Sequence, residues 1–395
     1  MEKFLPTFGL SNIRTYYWLG LLLNGWFILP NWVFYFTQHI SIVEVGIVEG
    51  VAVLVGILME VPSGVFSDLL GKKKTIIIGS LLLIASCLIL INATEFIHFL
   101  IGNITMFIGF SFHSGATEAF GYDSLKEVGQ ETKYDTVVAK HTSITIVAML
   151  LSTFVGGYLF RFAPYAPFIA WSIFLILSII VIIPAHEPWI DTAKFSVSGY
   201  FRHLKEGVAT LFGHKLHNFL VPLLAIPIII KLYQGLVRQS MAGYFGFTGE
   251  TFGYLFALIS IPAIILSFRY GSIRRRLGNK SLLLLVLAAY IFVFGFASTN
   301  SGLVVGGGLY LILNAAENIA RPLVSSIVNE RIDSKHRTTT LSTLSLISQA
   351  PYIILVTFYA GATEQGKISN LFLIYAIGII LIWLYVYLFV KNDNV

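Results

Sequence analysis

Apolar runs of bilayer-crossing length recur twelve times in this chain, and no soluble fold accommodates that pattern. A spanning helix needs about 20 predominantly apolar residues. The runs lie near 15–37, 43–67, 75–94, 97–122, 140–162, 166–184, 217–240, 250–268, 280–298, 302–325, 340–360 and 369–390. Lipid cannot hydrogen-bond an exposed backbone, so only helices or a closed barrel can span it. A barrel would read as short alternating strands, a pattern the sequence does not carry. The expected fold class is an all-α membrane protein with 12 transmembrane helices. Composition agrees: 56% of the residues are hydrophobic and 12% are charged, where a soluble chain carries about 25% charged residues.

The few charges sort by side. Lysine and arginine accumulate on the cytoplasmic face of a membrane protein. With the N-terminus inside, that face collects Lys3, Arg14, Lys72, Lys73, Lys74, Lys126, Lys133, Lys140, Lys194, Arg202, Lys205, Lys215, Arg269, Arg274, Arg275, Arg276, Lys280, Arg331, Lys335, Arg337 and Lys391. Arg161, Lys231, Arg238, Arg321 and Lys367 fall elsewhere. Both termini are therefore expected in the cytoplasm. The formal charge of +6 does not indicate a nucleic-acid partner, because the basic residues sit in short connections and not on one soluble face. Lys3 and Arg14 precede an apolar run that continues to about Phe36, longer than a signal-peptide core, so the first run is read as a retained span. Cys87 is the only cysteine, which excludes an intrachain disulfide and a cysteine-based metal site.

One long polar connection, 185–216, separates six runs from six. The expected organisation is an N-terminal bundle (1–184), a cytoplasmic linker (185–216) and a C-terminal bundle (217–395). Within the linker Tyr200, Leu204, Val208, Leu211 and Phe212 recur at helical spacing, with Arg202, Lys205 and Glu206 on other faces. That pattern predicts an amphipathic helix on the inner membrane surface. The two halves also resemble each other. Gly64…Gly71-Lys72-Lys73 after the second run has a counterpart in Gly271…Gly278-Asn279-Lys280 after the eighth, and Glu118 in the fourth run is matched with Glu317 in the tenth. Two related halves are a recurring transporter design, and the halves are expected to be pseudo-symmetric six-helix bundles.

Between the second and third runs stands Gly64-Val-Phe-Ser-Asp68-Leu-Leu-Gly71-Lys72-Lys73-Lys74. The glycines would allow a tight turn and close backbone approach. Asp68 would meet a neighbouring helix N-terminus or an arginine, and the lysines would face the anionic inner leaflet. This spacing resembles the signature loop of the major facilitator superfamily. Glu60-Val-Pro62-Ser-Gly64 resembles a version found among that superfamily's drug and metabolite exporters, and Ser114-Gly-Ala-Thr-Glu118 with Tyr122-Asp123 closes the fourth run in a similar way. Phe201-Arg-His-Leu-Lys-Glu-Gly207 and Arg337-Thr-Thr-Thr-Leu-Ser342 fit the linker and the start of the eleventh run. The resemblance implies a monomeric carrier of a small-molecule substrate in a prokaryotic plasma membrane. It implies H⁺ as the coupling ion, and a latch on the cytoplasmic side built from Glu60, Gly64, Asp68, Gly71, Lys72, Lys73, Tyr122 and Asp123. It also implies that the first, fourth, seventh and tenth spans line the substrate path. The chain departs from the exporter pattern in two respects: residues 97–117 hold no arginine, with Asn103, Thr105 and His113 as the polar groups there, and the fifth run lacks the Gly-Pro pattern that marks many antiporters, although Gly156-Gly157 remains.

A charge at the centre of a bilayer costs about 2.5–3.5 kcal/mol on insertion scales, so ionisable groups inside the spans are functional candidates. Several fall on shared helical faces: Asn24, Asn31 and Tyr35; Lys231, Gln234 and Arg238; Tyr310, Asn314, Glu317 and Arg321; and Ser342, Ser345, Gln349 and Tyr352. Asn24, Asn31, Tyr35, His113, Lys231, Gln234, Arg238, Asn314, Arg321 and Gln349 are the expected substrate-binding groups. Glu118 and Glu317 are the expected proton carriers, since burial raises a carboxyl group toward neutrality. Plainer readings stand beside these. Glu317 and Arg321, four residues apart, could simply neutralise each other, Lys231 could pair structurally with Glu49, and His113 could be a packed hydrogen-bonding group. No motif for an enzyme or a cofactor occurs, neither nucleophile elbow nor phosphate loop. The function expected is secondary transport by alternating access, with proton-coupled export of a small amphiphile first. Symport of an organic anion into the cell and a receptor or scaffold without transport are the alternatives.

Overall fold

A computed structural model describes residues 5–188 and 197–391; Lys3 and Lys194 lie outside them, and the side chain of Lys335 is likewise not described. The described chain is helical from end to end, with α1 (Leu5–Leu23), α2 (Trp32–Phe36), α3 (Ile42–Leu70), α4 (Lys72–Ile91), α5 (Phe96–His113), α6 (Ala116–Lys126), α7 (Tyr134–Phe162) and α8 (Ala166–Ile182) before the linker. The linker helix is α9 (Val197–Leu211). Beyond it come α10 (Leu220–Leu232), a π-helical turn (Tyr233–Val237), α11 (Arg238–Tyr244), α12 (Gly249–Ala297), α13 (Gly302–Arg331), α14 (Ser334–Glu364) and α15 (Ile368–Phe389). Nine helices among the described residues are long and apolar enough to cross a membrane. One of them, α12, has 49 residues and bends at Gly278, which makes it two spans in succession. Helix α8, the 5–36 segment and this division of α12 bring the architecture to the twelve spans expected.

Two compact units can be described separately. The first comprises 1–40, 51–197 and 249–257, the second 41–50, 198–248 and 258–395. Each unit therefore includes the opening turns of one long helix that continues in the other. In the first unit Gly253 of α12 meets Gly157 of α7, where a Cβ on Gly253 would lie 2.5 Å from the Gly157 Cα. In the second unit Gly46 of α3 meets Ala360 of α14 at 2.6 Å by the same measure. Small residues at such crossings let helix backbones approach within lipid, where dispersion replaces the hydrophobic effect as the driving force.

Several expected boundaries move for identifiable reasons. The first span is not one helix. It breaks at Asn24–Asn31, where Pro30 lacks an N–H to continue the ladder and turn bonds such as Leu29 N–H to Trp26 O and Asn31 N–H to Ile28 O take over. The fourth span breaks at Ser114–Gly115, with Gly115 at φ +74. The stretch read as a signature loop is almost entirely helix: α3 runs through Leu70, α4 starts at Lys72, and the single residue between them is Gly71 at φ +93. The linker helix α9 exists, and it packs on protein: a Cβ at Gly207 would lie 2.1 Å from the Thr343 hydroxyl of α14.

The internal repeat is visible in the backbone of the opening helices of each half. Helices α3 and α12 open at Ile42 and Gly249, and the positive-φ turns fall at Gly71 and Gly278, both pairs 207 residues apart. The broken first helices, at 24–31 and at the π-helical turn 233–237, obey the same separation. That register corrects the matching of Glu118 with Glu317, which are not 207 apart. The carboxylates it aligns are Asp123 and Glu330. Lys73 and Lys280 also align, and each donates to carbonyls near the end of the last helix of its half. Lys73 Nζ bonds Ala185 O at 2.9 Å, and Lys280 Nζ bonds Tyr387 O at 2.9 Å.

Candidate functional site

The polar residues of the first span do not share a helical face, because the break intervenes. Asn24 donates to Gly20 O at 3.0 Å, and Asn31 donates to Gly156 O at 3.0 Å. Tyr35 donates to Leu90 O at 2.8 Å. Asn31 and Tyr35 are buried. Asn31 and Tyr35 tie the chain beyond the break to α7 and α4, Asn24 closes the last turn of α1, and Gly156 is required there, since a Cβ would collide with Phe27 O. His113 is also a packing group in this structure: its Nε2 lies 3.3 Å from the Ser80 hydroxyl, which in turn is 3.2 Å from that of Ser178.

The turn at Gly71 assembles a cluster of charges. Buried Lys72 pairs with Asp123 of α6 at 2.9 Å. Both carboxylate oxygens of Glu187 accept the Lys73 backbone N–H, at 3.3 and 3.2 Å, at the N-terminus of α4. A carboxylate there meets the positive end of the helix dipole. Sequence reasoning assigned that role to Asp68 and missed Glu187. Asp68 instead lies in the last turn of α3, half-buried, and has no ion pair among the described residues. A helix C-terminus disfavours a carboxylate, so the local structure gives no reason for its presence. Gly64 lies within α3, and a Cβ there would meet nothing within 4 Å, so the expected close approach belongs to Gly71 alone. Glu60 is exposed, and Tyr122 is exposed with its ring edge-on to Tyr134 at 5.1 Å. Glu118, expected to be buried, is exposed in the first turn of α6.

The second unit holds three more buried charges, Glu49, Arg238 and Glu317. Glu317 of α13 is 9% exposed. Its Oε1 accepts from Arg321 Nε at 3.0 Å and from the Gln234 side-chain amide. Glu49, which is 7% exposed, accepts the Tyr352 hydroxyl at 3.2 Å. The Lys231 ammonium lies 5.2 Å from the centroid of the same Tyr352 ring, within cation–π distance. Arg238 is buried, and its backbone carbonyl accepts the Tyr310 hydroxyl. These groups surround the π-helical turn, where Gly235 has non-helical backbone angles (φ −76, ψ −131) and the Tyr352 hydroxyl occupies the space a Cβ would take. Of the expected residues, Gln234, Glu317 and Arg321 are joined directly, Lys231 lies over Tyr352, and Arg238 follows the same turn. Asn314 stands apart, accepting from Asn318 at 2.9 Å, and Gln349 makes a bond to Ser345 O within its own helix at 3.5 Å. Glu49 and Tyr352 were not among the expected site residues. A glutamate inside an apolar run, Val48-Glu49-Gly50, was the signal available.

The Major Facilitator Superfamily model matches residues 19–236, more than half of the chain. The chain belongs to the major facilitator superfamily. It is an integral membrane protein and a membrane transporter of that superfamily, whose members are carriers of small molecules and not enzymes. Among curated proteins it is similar to the MFS-type transporter YxaM of Bacillus subtilis (strain 168), 22% identical over 356 residues that cover 88% of each chain. It is also similar to the chloramphenicol resistance protein CraA of Acinetobacter baumannii, 26% identical over 170 residues, 42% of this chain and 38% of that one. Its fold matches the nucleoside transporter NupG at a TM-score of 0.78 and 11% identity, covering 98% of this chain and 100% of that one. The D-xylose-proton symporter matches at 0.71 and 15% identity, covering 98% and 99%.

Proposed function

We propose that this chain is a secondary active transporter that exports a small amphiphilic molecule in exchange for protons, by alternating access. The observation that carries the reading is Glu317, a buried carboxylate whose two partners, Gln234 and Arg321, lie on different helices. Protonation of Glu317 would release the Arg321 guanidinium and one tie between α13 and the π-helical turn. A proton would thereby change which arrangement of these helices is stable, which is the requirement for coupling by population shift. Glu49 is a second carboxylate of the same network. Glu118 is less suited to the role, being exposed. Asp68, Lys72, Lys73, Gly71 and Asp123 fit the proposed cytoplasmic latch, with Glu187 added to it. Export is supported by the likeness to a drug-resistance protein over part of the chain. A second reading, symport of an organic anion into the cell, is favoured by the three basic residues of the network, Lys231, Arg238 and Arg321.

The test is transport in proteoliposomes of known orientation. An imposed pH gradient should drive chloramphenicol or a comparable amphiphile across the membrane, and Glu317→Gln should abolish the gradient dependence while leaving downhill exchange. Gradient-driven export by Glu317→Gln at the parent rate overturns the proposed coupling site, and accumulation in the opposite direction supports the symport reading.

A further inference from the structure

We propose that the break in the first long helix of the second half, Lys231–Arg238, together with Arg321, binds the anionic group of a small molecule, a carboxylate or a phosphate. The inference rests on the transport reading only in assuming that this network is where cargo is held.

The chain supplies its own control. In the 207-residue register set by Gly71 and Gly278, Asn24 aligns with Lys231 and Asn31 aligns with Arg238. The two first helices break at the same place. In the first half the asparagines use their amides on backbone carbonyls, Gly20 O and Gly156 O, and the break is satisfied by neutral groups. The second half has a lysine and an arginine at the equivalent positions. Each charge inside a span costs about 2.5–3.5 kcal/mol on insertion scales. A helix break of this type therefore does not require them, and the cost must be met by another role.

The charge balance indicates the ligand. Lys231, Arg238 and Arg321 stand against Glu49 and Glu317, a surplus of one positive charge in the network. An anionic ligand removes that surplus. The geometry indicates which groups would receive it. Arg321 uses its Nε on Glu317, its side chain is 52% exposed, and its terminal amino groups make no hydrogen bond among the described residues. That leaves the fork that pairs with carboxylate or phosphate oxygens. Lys231 is held over the Tyr352 ring, whose hydroxyl is anchored on Glu49. Its ammonium keeps all three donors for a ligand or for water, because a ring face accepts no conventional hydrogen bond.

The experiment measures thermal stabilisation of the purified full-length protein in a neutral detergent. The probes are benzoate and phenylphosphate, with benzamide and benzylamine as neutral and cationic counterparts of the same ring. The two anions should raise Tm with concentration, and the amide and amine should not. Lys231→Asn, which installs the first half's residue, should shift the half-effect concentration of the anions at least tenfold, and Lys231→Arg should restore it. If Lys231→Asn does not fold, Arg321→Gln carries the same expectation. Phosphatidylglycerol added to the micelles is a separate arm: stabilisation by this lipid alone, lost in Lys231→Asn, assigns the anionic group to a lipid headgroup. Equal stabilisation by benzamide and benzoate, or full anion response in Lys231→Asn, overturns the proposal. The assay needs no gradient. A protein that binds the anions and fails to transport would overturn the transport reading and leave this one standing.

Discussion

Single residues differ sharply in how replaceable they are, and the difference follows from what surrounds them. Gly71 combines a φ of +93 with a site where a Cβ would lie 2.5 Å from the Glu187 carboxyl carbon. With ψ at 158, Gly71 lies in a region essentially confined to glycine, which costs another residue about 1–3 kcal/mol, and the collision would also dislodge the carboxylate from the α4 N-terminus. Gly71→Ala should therefore lower the thermal unfolding midpoint by several degrees. Gly64→Ala, with open space around it, should leave the midpoint unchanged. The spacing of the two glycines was legible in the sequence, but their unequal roles were not, because only the backbone angle and the arrival of Glu187, 114 residues beyond Lys73, distinguish them. The Lys72–Asp123 pair was visible as two charges near the inner ends of separate spans, and its contact required the fold. With both side chains largely buried, removing one partner should cost more than removing both. A cycle of Lys72→Met, Asp123→Leu and the double variant, followed by thermal unfolding, checks this: the double variant should be more stable than either single one.

At the scale of helices, the runs and their order could be read directly, because about 20 apolar residues in lipid can be little else than a span. The breaks were harder. A continuous helix was expected over 15–37, although Gly25 and Pro30 lie inside it, since hydropathy responds to composition and not to backbone hydrogen bonding. The same limit hid the π-helical turn at 233–237, which contains no proline. That turn depends on close packing: the Tyr352 hydroxyl lies 1.9 Å from where a Gly235 Cβ would be. Gly235→Ala should push the Tyr352 ring away, disturbing both its bond to Glu49 and its contact with Lys231. The expected result is loss of transport with retained helicity, read by proteoliposome uptake beside far-ultraviolet circular dichroism. Wild-type transport by this variant would mean that the turn tolerates a methyl group and that the network does not depend on its geometry. Polar faces read from a helical wheel do not hold where the helix breaks, at Asn24, Asn31 and Tyr35, whereas Lys231 and Gln234 both reach partners around the π-helical turn, the Tyr352 ring and Glu317.

For the molecule as a whole, the repeat orders the remaining observations. The halves share the helix starts at Ile42 and Gly249, the turns at Gly71 and Gly278, their broken first helices and their lysine ties, Lys73 and Lys280, so these features belong to the common scaffold. What they do not share is a better guide to function: Asp68 against Arg275, Asn24 against Lys231, and Asn31 against Arg238. Asp68 is the carboxylate that the local structure does not use, and it lies at the C-terminal end of α3 beside a turn fixed by Gly71 and Glu187. If Asp68 serves the transport cycle and not the fold, Asp68→Asn should express, insert and unfold like the parent while its transport rate falls at least tenfold. Binding of the cargo should persist, because the residue is not part of the Lys231–Glu317 network. Measuring binding and transport on the same preparation separates the possibilities. Loss of both would make Asp68 a structural residue, and retention of both would remove it from the latch. Loss of transport alone would assign the switch to the half of the chain that does not carry Lys231, Arg238 and Arg321.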